Sequence, residues 1–324
     1  MSRTFSRRRF IAISAAVAGL AATGARAAAP LRKWRGTALG ADAALSLAHP
    51  DPARADALIA ACLAEVRRLE AVFSLYRPDS ALVRLNRDGR LAAPPLELVD
   101  LLSRARTFSE ATQGAFDVTV QPLWRLLADH FRRPGADPAG PAEDQMAAAR
   151  ARVGYRHLHI EAEAIAFTRT GMAVTANGIA QGYITDRVAN LLRDAGMTDM
   201  LVHMGETRAL GGHPDGRAWR IGLNEAKHRI ELRDAAVATS GEYGFRFAEG
   251  AGHHHILDPR TGTSPARWRE VSVIAGEATT ADALSTAMMM LDADRIAALA
   301  RRHGADVHAL DADGRRRMFP GRPA

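Results

Sequence analysis

The chain has a single cysteine, Cys62, among 324 residues. One thiol excludes a disulfide framework, a cysteine zinc site and a cysteine-ligated iron–sulfur cluster. Neither a G-x-G-x-x-G run nor a P-loop occurs, so neither standard phosphate-binding fingerprint applies. There is no internal repeat and no low-complexity tract. The chain also lacks an apolar run of the ~20 residues needed to span a bilayer. What is abundant is ordinary globular material: 47% of residues are hydrophobic and 24% charged. That balance excludes a disordered, collagen-like or polytopic membrane protein.

Acidic residues are missing from the first 27 positions, where Arg3, Arg7, Arg8, Arg9 and Arg26 stand alone. Taking these five from the net charge of +7 leaves +2, so the basic character belongs largely to the leader. A near-neutral remainder argues against nucleic-acid binding. Ser6-Arg7-Arg8-Arg9-Phe10-Ile11 resembles a twin-arginine export motif. An apolar stretch from Ile11 to Ala22 follows, then Ala25-Arg26-Ala27, an A-x-A cleavage site. The expectation is a signal peptide over 1–27, cleavage near Ala27 and a soluble periplasmic domain over 28–324. Export of a folded protein is compatible with a ligand taken up beforehand.

Residues 55–73 place Leu58, Ile59, Cys62, Leu63, Val66, Leu69 and Phe73 at helical spacing, with Cys62 as a core residue. Helices are also expected over 96–112, 143–152, 179–195, 280–291 and 294–303. Gly114 and Gly196 stand as stops for the first and third of these. The Pro/Gly-rich stretch near 133–142 reads as a surface loop. Strands are expected near 156–161, 164–169, 201–204, 218–223, 229–233, 235–239 and 269–275, with a final hairpin at 311–314. Strands in runs with interspersed helices indicate α+β, or a mixed sheet with helices against it.

Four segments carry chemically suggestive residues. Gly114-Ala115-Phe116-Asp117-Val118-Thr119-Val120 opens with a turn and offers a carboxylate; Asp117 as a turn cap is the plainer reading. Asn177-Gly178-Ile179-Ala180-Gln181-Gly182-Tyr183 opens a helix. Its free N–H groups favour an anion, while Asn177 as N-cap with small residues for packing is the alternative. His253-His254-His255 suggests either solvated loop histidines or one histidine acting as base, more than a metal trio. Asp282 and Thr286 share one helix face, a hard-oxygen pair suited to Mg²⁺. Thr279 as N-cap with Asp282 supporting it would explain the same residues structurally.

Taken in order, these segments resemble the FAD:protein FMN transferase family, the ApbE-like proteins. Gly36-Thr37-Ala38-Leu39-Gly40 is similar to the family's opening GTxxG element. Phe73-Ser74-Leu75-Tyr76 and Asp79-Ser80-Ala81-Leu82-Val83-Arg84-Leu85-Asn86 are similar to its S-x-[YW]…S-x-L-x-R-[LF]-N signature, and Ala238-Thr239-Ser240-Gly241 to its A-T-S-G strand end. The likeness spans about residues 34–310. Three departures stand out. Thr175 replaces the acidic residue before the glycine turn, Gln181 replaces the usual lysine, and Gly205-Glu206-Thr207 stands where Gly-Gly-Asp or Gly-Gly-Asn is common. The run Asn-Gly-Ile-Ala-Gln-Gly-Tyr looks like that of a branch of the family.

The resemblance implies an α+β, T-fold-like architecture of mixed or antiparallel sheets flanked by helices, with a central cleft for FAD. It implies Mg²⁺ held by Asp282, Thr286 and the Gly178 carbonyl, with Ser285 a further candidate. Leu39, Tyr76, Ala115, Phe116, Asp117, Thr175, Gln181 and Ile256 would line the flavin nucleotide, and His255 would accept a proton. The implied reaction moves FMN from FAD to a Thr or Ser hydroxyl of a target protein and releases AMP. The implied target is a membrane-bound electron-transfer subunit. FAD hydrolysis to FMN and AMP, or flavin binding without turnover, are the rival activities.

Overall fold

The computed structural model describes residues 29–223, 228–248 and 252–322; the leader over 1–27 lies outside them. In chain order the elements are β1 (Leu31–Ala38), β2 (Ala41–Ala48), α1 (Pro52–Phe73), α2 (Ala81–Asp88), β3 (Arg90–Ala92), α3 (Leu96–Ala111), α4 (Gln121–Phe131) and α5 (Glu143–Arg150). There follow β4 (Leu158–Ile160), β5 (Ala164–Phe167), α6 (Ala180–Asp194), β6 (Met200–Met204), β7 (Thr207–Leu210), β8 (Trp219–Leu223), β9 (His228–Leu232) and β10 (Ala235–Gly241). The last are β11 (Trp268–Ala275), α7 (Ala278–Met288), α8 (Ala293–His303), β12 (Asp306–Asp311) and β13 (Arg316–Phe319).

Local chemistry accounts for the long helix α1. Asp51 accepts from the Ala53 and Arg54 amides, Pro52 fills the first helical position, and the predicted apolar stripe lies buried apart from a half-buried Leu63. Cys62 is completely buried on that stripe, and burial pushes its thiol up to about 12, so it packs as a small apolar residue. Each fully buried leucine of such a stripe contributes about 1.5–3 kcal/mol.

Eight strands form the main sheet in the order β1-β2-β6-β7-β10-β11-β12-β13, every neighbouring pair antiparallel. Strand alternation divides its two faces. Met200, Val202 and Met204 of β6 enter the core shared with the helices, while Leu201 turns to the opposite face. There Leu201, Ala209 and Val237 meet Trp219, Ile221, Ile230 and Leu232 of the β8–β9 ribbon. On the helical face α6 lies against β6 and β7, α7 against β10 and β11, and α6 and α7 touch. The edge strands carry Arg32, Lys33 and Arg35 on β1 and Arg316 and Arg317 on β13, charges that discourage further strand pairing. A smaller sheet, β3-β5-β4, and a satellite cluster around Leu123, Leu127, Ala149 and Leu257 complete the molecule.

This is the expected α+β class with antiparallel sheets and flanking helices. The sequence reading omitted the β1–β2 hairpin, α2, β3, α4 and β7. β1 alternates poorly because it is an edge strand, and α4 begins at a Val120 cap that makes no side-chain bond. The Pro/Gly-rich loop begins where α4 ends. The hairpin turn is Leu39-Gly40 with φ of 50° and 74°, the sign that a two-residue hairpin loop requires at both positions. Leu39 is strained there as a non-glycine residue, and its amide is held by Glu70 Oε1 at 2.6 Å.

Candidate functional site

Neither α6 nor α7 satisfies its own N-terminus with a side-chain cap. Each borrows a carboxylate from the other. The Gly182 N–H, in the first turn of α6, donates to Asp282 Oδ2 on α7 at 2.9 Å. At the start of α7, the Ala278 and Thr279 amides donate to Asp186 of α6 at 2.9 and 2.8 Å, and the Thr279 hydroxyl donates to it at 2.6 Å. Two sequence expectations are thereby corrected. Asn177 is exposed and does not cap α6, and Asp282 does not support the N-terminus of its own helix. The anion at the start of α6 is the Asp282 carboxylate. A Cβ at Gly182 would collide with the Ala278 carbonyl and the Asp282 Cβ, so the two helices meet at a glycine contact.

One turn beyond Asp282, Thr286 Oγ1 lies 3.3 Å from Ser240 Oγ at the end of β10. Ser240 Oγ is also 2.9 Å from Ser285 Oγ, which donates to the Asp282 carbonyl at 3.0 Å. Gly178 closes the group: a Cβ there would sit 3.1 Å from Thr286 Oγ1 and 3.3 Å from the Phe116 ring. The structure therefore brings Gly178, Asp282, Thr286, Ser285 and Phe116 together from three distant stretches of chain.

Glu206 joins this group from the β6–β7 turn, which Gly205 permits with φ 96°. Burial first, and then the Asp282 charge, push the Glu206 carboxyl well above the usual range, while the Thr239 backbone N–H pulls the other way. Burial likewise raises Asp282, the Gly182 N–H opposes it, and the Asp186 charge adds to the rise. Among the described residues no Lys or Arg pairs with either carboxyl. Two desolvated acids without a cation, beside a hydroxyl and a glycine, make a hard-oxygen set that fits Mg²⁺. Among the described residues no cluster of three or more His, Cys, Asp or Glu side chains is placed to hold a metal. Hydroxyl and carbonyl oxygens would have to complete the shell.

The residues expected to line a flavin nucleotide are distributed unevenly. Ala115, Phe116 and Ile256 are buried in the main core. Asp117 commits both oxygens to the protein: Oδ1 accepts from the Thr119 amide and hydroxyl at 2.8 and 2.6 Å, and Oδ2 from the Tyr155 amide at 2.8 Å. The turn-capping reading describes these bonds. Burial raises its pKa, and the Thr119 and Tyr155 bonds work against that rise. The Thr175 amide donates to the Val118 carbonyl at 2.8 Å, laying the 115–120 turn beside the α6 entry. Gln181 packs so closely on Gly205 that a Cβ there would overlap its side chain. Leu39 lies at the β1–β2 tip, and Tyr76 is 85% exposed just after α1. Neither bonds to the Asp282 group.

The three histidines diverge. His253 packs on Phe131, His254 is buried with Nε2 against the Pro265 carbonyl, and His255 turns to Phe245. His255 Nδ1 is 3.0 Å from the Phe245 carbonyl oxygen, and its backbone N–H donates to the same oxygen at 3.0 Å. A carbonyl only accepts, so Nδ1 carries the hydrogen and Nε2 keeps a free lone pair. Burial lowers the His255 pKa to about 4, leaving the ring neutral at pH 7.

Sequence reasoning assigned no role to Asp186, Ser240 or Glu206 in this arrangement. Asp186 carried a readable signal, an acid on the buried face of α6 four positions after Gly182. The partners of Ser240 and Glu206 lie far away in sequence, so spacing held none for them.

Residues 39–310 match the ApbE family. The FAD:protein FMN transferase of Vibrio cholerae is 34% identical over 250 residues, covering 72% of this chain and 74% of that protein. That of Treponema pallidum is 32% identical over 286 residues, covering 79% and 77%. Among solved structures, the flavin transferase ApbE from Vibrio cholerae superposes with a TM-score of 0.77 at 26% identity, over 90% of this chain and 97% of that one. The ApbE protein of Thermotoga maritima gives 0.79 at 27% identity, over 89% and 96%. With the matched span covering most of its length and the same fold, the chain belongs to the ApbE family.

Proposed function

We propose that this protein is a Mg²⁺-dependent FAD:protein FMN transferase acting in the periplasm after twin-arginine export. The observation that carries the reading is the joining of Asp282 and Thr286 on α7 with Gly178 in the turn before α6, in a family whose named relatives are FAD:protein FMN transferases. Asp282, Thr286 and the Gly178 carbonyl would hold the cation. Bound Mg²⁺ would supply charge neutralisation for a diphosphate and for the AMP it releases.

The chain's own residues supply the rest. A Thr or Ser hydroxyl of the target attacks the FMN-side phosphorus of FAD and forms a new P–O bond. The bond from that phosphorus to the bridging oxygen breaks, and its electron pair leaves on AMP. Nε2 of His255 takes the hydroxyl proton. The Phe245 carbonyl holds the required tautomer, and the depressed pKa keeps Nε2 unprotonated at neutral pH. Exposed Tyr76 offers a face for ring stacking. A membrane-bound electron-transfer subunit with a periplasmic Thr or Ser is the target that fits this compartment and chemistry.

The test is intact-mass measurement after incubating residues 28–324 with FAD, Mg²⁺ and candidate targets. Addition of one FMN to a target supports the reading. Free FMN and AMP without target modification would make the enzyme an FAD diphosphatase, with water as nucleophile. No AMP under any condition would leave a flavin-binding protein. Asp282→Ala is expected to abolish transfer, and full flavinylation by that variant would refute the metal assignment.

A further inference from the structure

We propose that Asp186 is a positioning residue for the cation site, setting how α7 presents Asp282 and thereby the affinity for a divalent cation. The inference rests on the function proposed above. Asp186 is itself unavailable to any ligand, because four donors occupy its carboxylate. Oδ1 accepts from the Ala278 amide at 2.9 Å and from Arg208 Nη1 at 2.7 Å, while Oδ2 accepts from the Thr279 amide and hydroxyl. Its influence has to travel through what it holds.

What it holds is the start of α7. The residue preceding that helix, Glu277, makes no capping bond, and its side chain reaches Arg104 of α3 at 3.0 Å. The first amides of α7 would be orphaned without the acid brought across from α6. Asp282 stands one turn further along α7, and its Oδ2 returns to the Gly182 amide, one turn before Asp186 on α6. The result is a closed ring of two helical turns and two carboxylate clamps. Only Asp282 Oδ2 is committed within it; Oδ1 makes no hydrogen bond among the described residues. Arg208, on β7 and nearly buried with Asp186, ties the ring to the main sheet. Loosening the Asp186 clamp lets the first turn of α7 move, and Asp282 Oδ1 moves with it.

The test uses the full-length mature protein stripped of metal by chelation, with Mn²⁺ as the probe read by electron paramagnetic resonance. Near-ultraviolet circular dichroism reports packing. Asp186→Asn keeps the shape but removes the charge and one acceptor. It is expected to fold and to bind Mn²⁺ about ten-fold more weakly, the scale of lost outer support at metal sites. In turnover with FAD and a target, the Mg²⁺ requirement should rise while the rate at saturating Mg²⁺ recovers. A purely structural role would not produce that split. A folded Asp186→Asn variant with unchanged Mn²⁺ affinity overturns the inference, as does a reduced rate that excess Mg²⁺ cannot restore. Should Asp186→Asn fail to fold, Thr279→Val decides, since it removes one of the four donors. Its Mn²⁺ affinity is expected to fall about three-fold, and an unchanged value overturns the inference. Asp282→Ala separates the two readings. If the unaltered protein shows no Mn²⁺ site that this substitution removes, the metal reading and the positioning role fall together. If it does show one and the Asp186 and Thr279 variants retain it, only the positioning role falls.

Discussion

His255 is the side chain whose chemistry depends most on a single contact. The Phe245 carbonyl fixes the proton on Nδ1, and a Cβ on Gly244 would lie 2.9 Å from the ring, so the ring has little room to flip. His255→Gln is expected to lower kcat about 10²–10⁴-fold with little change in the KM for FAD; a drop of less than ten-fold would remove the ring from the proton path. The shift also has a stability consequence. The folded protein holds His255 at about 4, below its ordinary 6.5, so the unfolded chain binds more protons between those values. Its contribution is full above pH 6.5 and lost as pH falls toward 4. Urea unfolding across that window should show the loss in the unaltered protein and a smaller one in His255→Gln. Tyr76 behaves differently. At 85% exposure it contributes little to packing, so Tyr76→Ala should leave the melting temperature unchanged. Its FAD affinity should fall about three- to ten-fold, as for loss of one ring stack, and unchanged FAD binding by fluorescence titration would exclude stacking.

The α6–α7 pair carries its own prediction. In an isolated helix Gly→Ala is favourable by about 1 kcal/mol. At Gly182 the sign reverses, because the new methyl meets the Ala278 backbone and the Asp282 side chain. Gly182→Ala is expected to destabilise the fold by about 1–3 kcal/mol, measured as a lowered urea midpoint, and a raised midpoint would contradict this helix contact. Elements of this kind were legible where periodicity and caps agree: α1 with Asp51 and Pro52, and α8 between Asp292 and Gly304. They were not legible where tertiary packing decides. β7 has four residues and is stabilised by what it packs on more than by its own pattern. α2 is a different case: Ser80 and Gly89 cap it at both ends, and only its eight-residue length leaves too short a period to read.

Across the molecule, helices cover one face of the main sheet and the β8–β9 ribbon covers part of the other. No helix among the described residues is long and apolar enough to cross a membrane. The residues that would grip a cation come from α7 and from the turn that leads into α6, about 100 residues apart in sequence, so ligation should tighten the packing of α6 on α7. Mg²⁺ with FAD is expected to raise the melting temperature of the unaltered protein in a concentration-dependent way, with reversal by chelator. Asp282→Ala should show no such Mg²⁺ dependence, and an equal rise in that variant would place the cation elsewhere.

Several features follow from local order alone: the Asp282–Thr286 pair on one helix face, the core placement of Cys62 and the alternation that sorts β6. Each rests on a fixed helical or strand period. The partner of the Asp282 carboxylate was beyond that reach. Its own helix offered amides three residues away, and so did every capping rule. Folding instead set it 2.9 Å from the amide of Gly182, 100 residues earlier, and filled the nearer amides with Asp186. A carboxylate bonds whichever unpaired donor lies within reach, and only the packing of α6 on α7 determines which donor that is.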